Sequence, residues 1–173
     1  AVSIENQSGA REIVNHLIEA HDRRRIVFLQ GPEGHEDSKW REKGYREALR
    51  AHDIPFDAAL VARGGFNRDE AGAALAQILL EGVQFDAVFA GDDDASVGVL
   101  LGLRQVGIRV PEEVAVAGFD DQVFAAMERP HPEGLQRQPL LTARQNHGNQ
   151  LAAAANRHDG RKPLRVTETE VPR

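Results

Sequence analysis

A chain of 173 residues is long enough for one globular domain and short for two, and 41% apolar residues suffice for a sizeable core. The formal net charge of -6, with basic residues interspersed among acidic ones, argues against this stretch gripping nucleic acid, whose binding rests on Lys and Arg neutralising phosphates. No apolar run is long enough to span a bilayer, and Ala1-Val2-Ser3-Ile4-Glu5 lacks the basic end and apolar stretch of a signal peptide; zero cysteines exclude disulfides and thiolate metal sites, in keeping with the cytoplasm.

Helix and strand patterns alternate along the chain. Between Gly9 and Ala20, Ala10, Ile13, Val14, Leu17 and Ile18 recur at helical spacing, predicting an amphipathic helix. Ile26-Val27-Phe28-Leu29 is a short continuous apolar run closed by Gly31-Pro32, as a strand buried on both faces reads. A helix is predicted over Ser38–His52, with Trp40, Tyr45, Ala48 and Leu49 facing inward. The second strand is Ala58–Ala62, closed by Gly64-Gly65; the next helix, Ala71–Leu80, ends at Gly82. Asp86–Ala90 is the third strand, Ser96–Val106 the helix behind it, stopped by Gly107, and Val114–Gly118 the fourth strand. Beyond Asp121 the rhythm breaks. Pro130, Pro132 and Pro139 mark an irregular connection over Met127–Pro139, Thr142–Arg157 reads as an alanine-rich helix with Thr142 at its N-cap, and Leu164–Val171 alternates like a half-exposed edge strand.

Four strands separated by helices make βαβ units, hence an α/β three-layer sandwich with a mainly parallel sheet. Such sheets bind ligands at the carboxyl ends of their strands, so the loops after Leu29, Ala62, Ala90 and Gly118 are the places to look. The loop Gln30–Ser38 is glycine-rich but has no phosphate-loop or dinucleotide fingerprint, and its carboxylates oppose an anion. Arg41, on the first turns of the following helix, is either a solvated helical arginine or a fork turned toward the strand ends to meet hydroxyls or a carboxylate. Phe66, after Gly64-Gly65, either stacks on the apolar face of a sugar ring or plugs the core. Of Asp92, Asp93 and Asp94, capping and the helix dipole account for one or two; a third is left to point into the cleft. Their spacing is not that of a calcium loop, no histidines pair at metal spacing, and no serine sits in a nucleophile elbow. Asp120 and Asp121 add a carboxylate pair at the same rim. No metal, cofactor or catalytic residue is expected.

The run Ile108-Arg109-Val110-Pro111-Glu112-Glu113-Val114-Ala115-Val116-Ala117-Gly118-Phe119-Asp120-Asp121 closely resembles the signature of the lactose-repressor (LacI/GalR) family. So do Ile4–Ala10, Arg24-Arg25-Ile26 with Gly31-Pro32, Arg41 with Gly44-Tyr45, and Asp86–Ala90 before the aspartates, in order and at family spacing from Ile4 to Val171. The resemblance implies a periplasmic-binding-protein-like core of two lobes with the effector between them, joined to a DNA-binding head. It makes residues 1–173 one domain, the C-terminal lobe, beginning just past the first crossover and lacking the head; the Thr142–Arg157 helix would pack on the other lobe. It implies a small-molecule effector, a sugar or sugar-like carbohydrate, with operator DNA as partner through the absent head, in a bacterial, cytoplasmic homodimer that is not an enzyme. By position the family's ligand contacts fall on Asp37, Arg41, Phe66, Asp92, Asp120 and Gln145. Three departures stand out: Asp for the family's Asn at Asp92, which favours a ligand with an amine or more hydroxyl donors; a longer stretch from Arg129 to Pro139; and the alanine content of the late helix. The same fold would also serve a transport binding protein or the input domain of a sensor kinase or cyclase, and an α/β hydrolase or transferase is the outlying reading.

Overall fold

In a computed structural model of the chain, residues 2–119, 141–144 and 150–153 are described. The order is α1 (Val2–His21), β1 (Ile26–Gln30), α2 (Glu36–Ala51), a 3-10 turn (Ala58–Leu60), β2 (Val61–Arg63), α3 (Arg68–Leu80), β3 (Ala87–Ala90), α4 (Asp93–Gln105), β4 (Ala115–Phe119), β5 (Leu141–Arg144) and β6 (Gln150–Ala153). One sheet carries the strands in the order β2-β1-β3-β4-β5-β6, parallel throughout except for β6, which runs antiparallel to β5.

Period-2 alternation sends the strands' side chains to two cores. Ile26, Phe28, Phe89, Ala117 and Phe119 meet α1 and α2 on one face, with Ile13, Leu17, Tyr45 and Leu49. Val27, Leu29, Val88, Ala90 and Val116 meet α3 and α4 on the other, with Leu75, Ile78, Val99 and Leu103. Both faces are therefore covered, and the strands read as unbroken apolar runs for that reason. Each helix pair approaches closely at a glycine. A Cβ on Gly44 would lie 2.2 Å from the Gln7 carbonyl of α1, and one on Gly98 would lie 2.1 Å from the Arg68 carbonyl of α3. Past α3 and α4 the chain turns through Gly82 (φ 70°) and Gly107 (φ 77°), the left-handed exits that glycine makes without steric penalty.

The differences from the expected elements are local, with one exception. Ala58-Ala59-Leu60 closes into a 3-10 turn capped by Asp57, whose carboxylate accepts from the Ala59 amide at 3.0 Å, so β2 starts only at Val61. Trp40 is half-buried rather than inward, with the Lys43 ammonium 5.0 Å from its ring. The exception is the helix expected over Thr142–Arg157: its described residues form β5 and β6 instead. Gly118 pairs with Thr142 and Ala143 with Leu151, so the open edge of β4 claims residues whose local alanine content favours a helix. The expected connection Met127–Pro139 and edge strand Leu164–Val171 lie outside the described residues.

Candidate binding site at the strand ends

The strand order reverses between β1 and β3, the switch point beside which open α/β sheets leave a crevice for ligands. Phe66 lies there. Its backbone is left-handed (φ 55°), which disfavours a residue with a Cβ by about 1–2 kcal/mol. That turn lays the half-buried ring across the two glycines that end the strands. A Cβ on Gly31 would fall 2.2 Å from Phe66 Cζ, and one on Gly91 would fall 2.6 Å from Cε1. Of the two readings of Phe66, neither core plug nor open platform fits alone: the ring is packed from below and still part-exposed. His35 meets its edge, with centroids 5.2 Å apart.

Arg41 is turned toward the strand ends, and only 3% of it is exposed. Its Nε donates to Asn6 Oδ1 at 2.8 Å and its Nη1 donates to the Gly91 carbonyl. The guanidinium lies over two rings, 3.9 Å from the Phe119 centroid and 5.1 Å from that of Phe66. A desolvated stack of this kind contributes about 2 kcal/mol per good contact. Asn6 passes the network on, its Nδ2 donating to Asp37 Oδ1 at 3.2 Å. Bonds thus run from the first turn of α2 through α1 to the end of β3, and fix the arginine before any ligand arrives.

The three aspartates divide their tasks. Asp92 is the N-cap of α4, its carboxylate accepting from the Ala95 amide at 2.8 Å, and 6% of it is exposed. Asp94 holds the start of α3, accepting from the Arg68 amide at 3.0 Å and from its guanidinium at 3.1 and 3.2 Å. Asp93 is wholly buried, with its Oδ1 where a Cβ on Gly118 would come within 2.6 Å. Asp93 is therefore buried in the fold and Asp94 is spent on α3, while Asp92 is the α4 cap and follows Gly91, whose carbonyl accepts from Arg41.

The structure thus brings Asp37, Arg41, Phe66 and Asp92 to one rim, while Asp120 and Gln145 lie outside the described residues. Sequence reasoning missed Asn6, Gly91 and Phe119 as parts of the site. Asn6 and Phe119 stand inside the family-like runs, but their contacts join residues far apart in the chain. Among the described residues no group of three or more His, Cys, Asp or Glu could hold a metal ion, and no helix is long and apolar enough to cross a membrane. An open groove of about 660 Å³ at the opposite end of the sheet, lined by Tyr45, Leu49 and Phe56 among others, shares no residue with the rim.

Residues 14–159 match the family of periplasmic binding protein-like domains. The HTH-type transcriptional regulator CelR of Thermobifida fusca is 40% identical over 129 residues, 75% of this chain and 38% of that protein. The HTH-type transcriptional repressor CytR of Escherichia coli K12 is 28% identical over 179 residues, 99% of this chain and 52% of that protein. Among solved structures, a CelR–cellobiose complex superposes with a TM-score of 0.71 at 36% identity, covering 82% of this chain and 41% of that one. The Escherichia coli repressor ascG superposes with 0.68 at 30% identity, covering 81% and 48%. The chain spans about half, or less, of the length of these curated relatives. It belongs to the lactose-repressor (LacI/GalR) family, within that family's periplasmic-binding-protein-like effector-binding core.

Proposed function

We propose that the chain is the C-terminal lobe of the effector-sensing core of a lactose-repressor-type transcriptional regulator, and that it binds a sugar-like small molecule at the strand-end rim without chemically changing it. The observation that carries this reading is the Arg41 network. An arginine 3% exposed, bonded to Asn6 and Gly91 and packed against Phe66 and Phe119, is an ordered polar and aromatic wall at a switch point. Aromatic faces with convergent hydrogen-bonding groups suit a ring that is apolar above and below and polar at its edge. Asp37, Arg41, Phe66 and Asp92 form this wall, and Asp120 and Gln145 are proposed to complete it. The cellobiose bound by CelR is of the same chemical class.

In this reading a second lobe supplies the facing wall, and closure around the effector shifts the population of a DNA-binding head in a cytoplasmic homodimer. The test uses the complete gene product. Thermal shift against cellobiose and other neutral sugars is expected to raise the melting temperature in the wild type. Phe66→Ala and Arg41→Ala are each expected to weaken binding by at least tenfold, roughly the 1.4 kcal/mol of one lost stacking or charged contact. Undiminished binding in both variants overturns the assignment of the rim.

A further inference from the structure

We infer that Asn6 is the positioning residue of the effector rim: its amide keeps Asp37 and Arg41 from pairing with each other, so that both hold their place against the ligand. This rests on the rim being the ligand site. Asp37 and Arg41 stand four residues apart on α2 with the acid first, the spacing and order at which opposite charges on a helix bond directly. The same helix shows that outcome further along. Glu42 and Arg46, at the same spacing and order, bond at 2.7 and 2.8 Å, while the Arg46 guanidinium lies 3.6 Å from the Phe56 ring centroid. Asp37 and Arg41 are joined instead through a third side chain. Arg41 Nε donates to Asn6 Oδ1 at 2.8 Å, and Asn6 Nδ2 donates to Asp37 Oδ1 at 3.2 Å.

An amide is what this bridge requires. A guanidinium can only donate and a carboxylate can only accept, so a side chain joining them must offer an acceptor to one and a donor to the other. Asn offers both on a short stem and brings no charge. Asp would present acceptors alone and set a second carboxylate against Asp37; Leu would present neither group. Asn6 is wholly buried, and α1 is held firmly on α2 beside it. The next residue, Gln7, donates to Glu47 at 2.7 Å, and at Gly44 the helices come so close that a Cβ would lie 2.2 Å from the Gln7 carbonyl. Without the amide, the buried Nε of Arg41 loses this acceptor, which is costly to leave unreplaced. Arg41 is tethered at the Gly91 carbonyl and packed on Phe119, whereas Asp37 is half-exposed. Asp37 is therefore the partner that moves, turning onto Nε and away from the cleft. The rim then loses a carboxylate to a salt bridge.

The experiment is a double-mutant cycle on the complete gene product, titrated with cellobiose by calorimetry. Asn6→Ala is expected to weaken binding about tenfold in the wild-type background and no more than about threefold in an Asp37→Ala background, where no carboxylate is left to turn inward. Asn6→Leu, which fills the buried volume, is expected to show the same contrast and serves where the alanine variant folds poorly. A residue that merely supports the fold would cost the same in both backgrounds, and that result overturns the inference. A ligand-free readout accompanies the titration, with the arginines nitrogen-labelled for magnetic resonance. The Arg41 Nε–H signal is expected to move downfield in Asn6→Ala, as its acceptor changes from an amide to a carboxylate, and to lose that shift when Asp37→Ala is added. No shift, or a shift that survives the loss of Asp37, overturns the inference while the rim stands. Binding that ignores Arg41→Ala and Phe66→Ala places the ligand elsewhere, and both readings fall. If cellobiose does not bind the wild type, the sugar reading fails, and the Arg41 signal alone decides whether Asn6 keeps the pair apart.

Discussion

Two glycines at the rim do similar geometric work with different consequences. The three atoms nearest a methyl on Gly31 all belong to the Phe66 ring, at 2.2 to 2.5 Å. A side chain that is half-exposed has room to swing aside, so Gly31→Ala is expected to displace the ring and weaken sugar binding while lowering stability by no more than about 1 kcal/mol. A methyl on Gly91 would meet the ring at 2.6 Å and also the Leu29 carbonyl at 2.7 Å. Backbone cannot swing aside, so Gly91→Ala is expected to be destabilising by about 1–3 kcal/mol as well. Chemical denaturation of the two variants side by side checks the contrast; equal stabilities would show that the ring, and not Leu29, sets the limit at both places. None of this was legible beforehand at the level of single residues. The sequence leaves two readings each for Phe66 and Arg41, and the partner that decides for Arg41, Asn6, lies 35 residues away. A long-range contact leaves no local spacing to read.

At the scale of elements, capping joins the site to the fold. The Asp92 side chain closes the first turn of α4, and α4 in turn packs on α3 through Gly98 and the Asp94–Arg68 pair. Removing the cap should therefore loosen the rim. Asp92→Ala is expected to lower unfolding stability by about 1 kcal/mol, whereas Asp92→Asn should leave it within a few tenths. Urea melts of both variants check this, and equal losses would mean that charge rather than the cap bond stabilises the helix end. Elements were largely legible because β1, β3 and β4 are buried four- or five-residue runs and α3 and α4 each end at a glycine. The failures share a cause: context overrides local propensity. The Asp57 side chain closes Ala58-Ala59-Leu60 into a 3-10 turn, and pairing along the β4 edge holds Leu141–Arg144 and Gln150–Ala153 as strands where the alanines alone favour a helix.

At the scale of the whole molecule, the fold class followed from alternation alone, whereas the way the described lobe responds to pH depends on a packing detail. His16 and His21 of α1 meet edge to face with centroids 5.1 Å apart, and the Nε2 of each is buried with no hydrogen-bond partner among the described residues. Burial lowers the pKa of both; Glu19 partly opposes this at His16, while His16 and Arg23 add to it at His21. Arg23 cannot move off easily, since it donates to the Pro111 carbonyl at 2.7 Å and so ties the end of α1 to the loop before β4. The unfolded chain therefore binds more protons than the folded one once the pH falls below the ordinary imidazole value of 6.5. Stability is fully present above that value and declines as the pH drops toward the lowered folded values. Glu12, whose pKa burial raises from 4.5, acts in the opposite sense, but only near the acid end of this window. The melting temperature is thus expected to fall between about pH 7 and pH 5, and the His16→Gln/His21→Gln double variant to flatten the slope. A slope as steep in the double variant as in the wild type would assign the acid sensitivity to other groups.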